Sequence, residues 1–131
     1  MTRAEIEREA GRRYLQKAIE FLHAAEWSFD RRYYNACGGN AIHAGISAND
    51  SFLAWRFGVR STSAAHLEAV EILESAGGRA VKGHVIQLRG LLKRKSFVEY
   101  DEGLFDAKQA RVALTRAQRL VAWVRSEVED R

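Results

Sequence analysis

Between Tyr33 and Trp55 the chain reads YYNACGGNAIHAGISANDSFLAW, a helix-length run of small residues in which Asp50 is the sole Asp, Glu, Lys or Arg. Gly38, Gly39 and Gly45 each weaken an isolated helix by ~1 kcal/mol relative to Ala, so neighbouring helices must supply its stability. Small side chains let helix backbones approach closely, which predicts a central bundle helix buried on several sides. His43, Ser47 and Asp50 fall at i, i+4 and i+7 and share one stripe of it, with His43 expected as a packed core residue. A carboxylate on that stripe needs a partner, because an unpaired buried charge is very costly.

The remaining pattern is helical throughout. There is no proline in 131 residues, 47% of residues are apolar, and no segment alternates as a strand would. A first helix from about Ala4 to Ser28 carries Leu15, Ile19 and Leu22 on its inner face. Asp30 is placed to cap the second, which ends near Phe57–Gly58. A short third helix, capped by Ser61, Thr62 or Ser63, turns Leu67, Val70 and Leu73 inward and stops at Gly77–Gly78. A fourth carries Val81, Val85, Leu88 and Leu92, and a turn follows at Tyr100–Gly103. Asp106 opens the last helix, where Ala110, Leu114, Ala117, Val121, Val124 and Val128 form an a/d seam. The expectation is one all-α domain over 1–131, an up-down bundle of four to five helices.

The one cysteine, Cys37, rules out an intrachain disulfide and a cysteine-cluster metal site, and reads as apolar filler. His23 and Glu26 have helical ligand spacing, but no second pair completes a site, so no metal or cofactor is expected. The opening MTRAEIEREAGRR is charged and amphipathic without an apolar signal core, and no run suits a membrane span. A cytoplasmic protein is expected. Net charge is +4 with a pI of about 9.5. From Arg79 to Val98 there are six cations (Arg79, Lys82, Arg89, Lys93, Arg94, Lys95) and no acid. Such a segment is either a solvated helix face or a phosphate-contacting edge, to which Arg60 would add.

Four segments in order resemble a HEPN domain. They are the opening helix YLQKAIEFLHAAEWSFD with the following RRYYNACGGNAIHAGISANDSFLAWRFG; His66 at the head of STSAAHLEAVEIL; LLKRKSFVEYDE, similar to the family's Leu, basic and Tyr signature; and the alanine-spaced DAKQARVALTRAQRLVAWVRSEV. The resemblance implies nucleotide or RNA association, homodimers with a basic groove between protomers, and in many members a metal-independent ribonuclease built on Arg-x(4–6)-His. Arg60…His66 and Arg79…His84 have that spacing, at about the rate chance gives an Arg-rich chain with four His. At the family's usual place stands Lys95-Ser-Phe-Val-Glu-Tyr100, with Tyr where His would be. A phenol, with an ordinary pKa of about 10, is a poor base near neutrality.

A variant site would be drawn from four residues. His66 near a helix N-terminus would be held neutral, Asp50 would orient it, Lys95 would hold a phosphate, and Tyr100 would donate a hydrogen bond. The alternative for the same four is a satisfied buried network that fixes helix register. Two functions follow. One is an RNA- or nucleotide-directed protein, the ribonuclease-like toxin of a bacterial toxin–antitoxin or defence system. The other is a non-catalytic domain that binds an antitoxin or nucleotidyltransferase.

Overall fold

The computed structural model describes residues 3–59 and 66–129, with the side chains of 3–6, 66–69, 96, 99, 100 and 129 outside that description. The described residues form six α-helices: α1 Arg3–Asp30, α2 Tyr34–Phe57, α3 His66–Gly77, α4 Lys82–Leu92, α5 Lys95–Tyr100 and α6 Ala107–Glu129, with a 3-10 turn at Gly78–Val81 before α4. No strand occurs among the described residues, and no helix of theirs is long and apolar enough to cross a membrane.

The order of the helices follows from which side chains meet. Gly11 of α1 lies against Ser51 and Trp55, while Phe21 reaches His43 and Phe29 reaches Tyr34, so α1 and α2 are antiparallel. Cys37 meets Ala110, a side chain at Gly45 would meet Leu120, and Phe52 meets Trp123, so α2 and α6 run parallel. Between α4 and α6 the pairs are His84–Trp123 and Gln87–Arg116, an antiparallel register. This is an up-down arrangement of α1, α2, α4 and α6. Its parallel diagonal, α2 and α6, is drawn together by small residues. α1 packs on this pair from one side, and α4 lies against it from another.

Burial follows the predicted seam on α6, where all six seam residues are buried. On α1 Leu15 is buried but Ile19 and Leu22 are only half-buried, and the small Ala18 and Ala25 beside that stripe take the deepest places. The central run is buried as expected at Cys37, Ala41, Ile42, Ala44, Ala48 and Leu53. Gly11 is a close point of the α1–α2 seam, since a Cβ there would stand 3.0 Å from the Ser51 carbonyl and 3.1 Å from the Trp55 nitrogen. Ser51 Oγ donates to the Gly11 carbonyl at 2.6 Å, which ties the two backbones together.

Helix ends were partly anticipated. Gly58 closes α2 in the left-handed region at φ 64°, and Gly78 follows α3 at φ 59°. Asp106 caps α6 reciprocally: its carboxylate accepts from Gln109 N at 2.8 Å, and Gln109 Oε1 accepts from Asp106 N at 3.0 Å. Asp30 does not cap α2; it is the last residue of α1. The turn is closed by backbone bonds instead, Arg32 N to Phe29 O and Tyr33 N to Ser28 O, with Arg32 at φ 62°. That is a Schellman closure with arginine where glycine is usual. The expected fourth helix is also broken. Arg94 N donates to Leu91 O in a tight turn, and α5 starts afresh at Lys95. Leu91 must fill the space at Gly45, whereas Val98 must reach Gly38, and one straight helix ending in Lys-Arg-Lys does not serve both. Leu91 is accordingly buried, with Leu92 only half-buried.

Two substitutions test these close approaches by chemical denaturation. Gly11→Val, which forces branched carbons into the α2 backbone, should lower stability by about 1–3 kcal/mol. Arg32→Gly should raise it by up to about 1 kcal/mol, because the left-handed conformation then costs nothing at Cβ.

Candidate functional site

A cleft of about 720 Å³ lies between α4 and the first half of α6. Ile86, Leu91, Val112 and Ala113 give it an apolar floor, and Arg89, Lys93, Arg94, Lys108 and Arg116 supply five positive charges. None of the lining residues is acidic. Ile86 and Val112 are 56% and 47% exposed, unusually open for branched aliphatics. Helical geometry explains the grouping: Ile86 and Arg89 of α4 and Lys93, which caps it, recur at +3 and +4, and Lys108, Val112, Arg116 at +4 on α6.

One neighbour tempers the charge. Glu74 of α3 approaches Arg89 with Oε2 3.5 Å from Nη2, but both side chains are about half exposed. An ion pair so open to water contributes little, so an anion can compete for Arg89. Crowded cations repel one another, and a bound anion offsets that repulsion.

Three of the anticipated phosphate contacts, Arg89, Lys93 and Arg94, therefore share this cleft. Lys82 sits one turn earlier on the same α4 stripe, and Arg79 is exposed in the preceding 3-10 turn. Arg60 lies outside the described residues. Lys108 and Arg116 were not anticipated as phosphate contacts. Both lie on α6, off its seam, and only the antiparallel packing of α4 and α6 brings them to the other cations.

The four residues considered for chemistry are placed differently. Asp50 is half-buried on α2, about 140° around the helix from Gly45, where Leu91 of α4 docks. Lys95 is half-buried on α5, the helix whose Val98 abuts Gly38 and Gly39, and Gly39 lies about 17 Å along α2 from Asp50. Asp50 and Lys95 thus stand on different helices, α2 and α5. The backbones of His66 and Tyr100 begin α3 and end α5, and their side chains lie outside the described residues.

The remaining histidines and the cysteine have plain surroundings. His43 is exposed rather than packed in the core, its ring 5.4 Å from that of Phe21. His84 stacks on Trp123 with ring centres 3.6 Å apart, and burial lowers its pKa against the opposing charge of Glu127. Cys37 is fully buried, its thiol donating to the Ala110 carbonyl at 3.8 Å, and burial pushes it up to about 11. Of the tryptophans, Trp55 is buried, Trp123 packs on Phe52, and Trp27 is half exposed under the Arg31 guanidinium. Comparison of the chain with family models and with curated proteins returns no match.

Asp50 leaves a thermodynamic signature. Burial pushes its carboxyl up to about 6 from an ordinary 3.8, with Lys17 pulling the other way. The folded state thus disfavours the ionised form: the cost is full above about pH 6 and fades below about pH 4. Asp50→Asn should stabilise the protein at pH 8 by on the order of 1–3 kcal/mol and hardly at all at pH 4, read from urea unfolding at both values. An equal gain at both pH values would place the effect elsewhere.

Proposed function

We propose that this chain is an RNA- or nucleotide-directed protein of HEPN type, acting in a bacterial toxin–antitoxin or defence system, and that it holds phosphates in the α4–α6 cleft. The observation that carries the proposal is the set of five cations lining one cleft without an acid among them. Phosphate oxygens are the ligands that such a set attracts, and Arg and Lys together offer both fork and point-charge contacts. The resemblance in the opening, second and closing helices supplies the RNA class.

Ribonuclease activity is a separate part of the proposal, resting on His66 and Tyr100, whose helices end and begin on either side of α4. A second reading is favoured by the exposed Ile86 and Val112 of the cleft floor. An apolar floor between charged rims also suits a partner protein, an antitoxin or nucleotidyltransferase bound without chemistry. A homodimer of the kind the resemblance implies would have the exposed Trp27, Tyr33 and Leu104 to cover.

Fluorescence anisotropy with a labelled single-stranded oligoribonucleotide tests the binding. Affinity should fall steeply between about 50 and 200 mM salt, and Lys93→Ala or Arg94→Ala should each flatten the log–log slope by roughly 0.7. Affinity that ignores both salt and these substitutions would leave the partner-protein reading. Cleavage of the same strand in EDTA, lost in His66→Ala and Tyr100→Phe, would add turnover to binding.

A further inference from the structure

Among the cations of the cleft, Arg116 is set apart by how it is held. Its Nη1 donates to Gln87 Oε1 at 3.2 Å, and its guanidinium rests on the backbone of α4 at Gly90. A Cβ at position 90 would stand 2.5 Å from Cζ, 2.6 Å from Nη1 and 2.8 Å from Nε. No side chain other than glycine's leaves room for the guanidinium where it lies. Glycine inside a helix costs about 1 kcal/mol relative to alanine, so its presence in an eleven-residue helix calls for a return.

We infer that Arg116 is the fixed phosphate fork of the cleft, and that glycine at position 90 is what seats it there. This rests on the cleft being the phosphate site proposed above. A free arginine gives up much rotamer freedom when it grips an anion, and one already anchored gives up less. Of its five N–H groups one goes to Gln87, and no carboxylate lines the cleft to take the others. The planar fork matches two oxygens of one phosphate, which the flexible Lys93 and Lys108 cannot do. Arg116 is held at the Gln87–Gly90 level of the cleft, so a strand entering the cleft would be registered on Arg116 and merely attracted by its neighbours.

A purely structural role is the competing account, with Arg116 fastening α6 to α4. Gly90→Ala separates the two. It fills the seat and favours the helix, and the atoms it displaces are the far end of a flexible side chain. Binding of a labelled oligouridylate to the full chain is measured by anisotropy, with thermal unfolding alongside. Gly90→Ala is expected to weaken binding roughly ten-fold while the unfolding midpoint holds or rises. Arg116→Lys keeps the charge but loses the fork, and should weaken binding similarly; the double variant should be no weaker than either single one. If Gly90→Ala binds like the parent while Lys93→Ala is impaired, the inference is overturned and the cleft remains. If Lys93→Ala, Arg94→Ala and Arg116→Lys all bind like the parent, the cleft proposal falls with it. Should Gly90→Ala lower the midpoint, Arg116→Lys decides alone: weakened binding supports the fork, and parent-like binding overturns it.

Discussion

Close contact between helix backbones is the constraint on which this fold depends. Glycine stands at these close approaches, on α1 where it meets α2 and on α2 where α4, α5 and the α5–α6 connection come near, and each contact fits because nothing larger is present. Gly11 against Ser51 and Trp55, Gly45 under Leu91, and Gly38 under Phe105 and Val98 are three versions of it. The second helix itself has poor intrinsic propensity, so its stability comes from contacts that vanish if those neighbours withdraw. Cooperative folding is the consequence: α2 has little reason to be helical before its partners arrive.

That same closeness shapes the cleft. With α6 drawn against α2 by its alanine and valine seam, the Lys108–Val112–Arg116 stripe faces away from the core. The α4 helix meets α6 at Gln87 and Gly90, then is pinned to α2 through Leu91. The tight turn after Leu91 redirects the chain, and the cations at its end stay on the cleft wall instead of continuing along a helix. Phe105 N donates to Asn35 Oδ1 at 2.9 Å, which fastens the α5–α6 connection to the start of α2 and sets where α6 begins.

The bundle was legible because its signals are local and periodic. The α6 seam, the Gly58 and Gly77–Gly78 stops and the Asp106 cap each depend on residues within a few positions of one another. Asp30 misled because a Schellman closure normally advertises itself with glycine, and Arg32 occupies that place here. The break before α5 depends on where Leu91 and Val98 must dock, which periodicity does not report. His43 shares a stripe with Asp50, but the stripe runs along the α1 side and out to solvent. The acid-free segment from Arg79 to Val98 pointed to half of the cleft. Its other half, Lys108 and Arg116, belongs to a helix read as seam plus surface, and only tertiary packing joins the two.

Cys37 has a use that its inertness provides. It is the one thiol of the chain, fully buried at the seam where α2 passes α6, with its proton directed at the Ala110 carbonyl. A thiol reagent can reach it only when those helices part. Its rate of labelling in the unmodified protein is therefore a built-in clock for opening of the α2–α6 diagonal, and a ligand that clamps α6 against α4 would be visible in it at a distance.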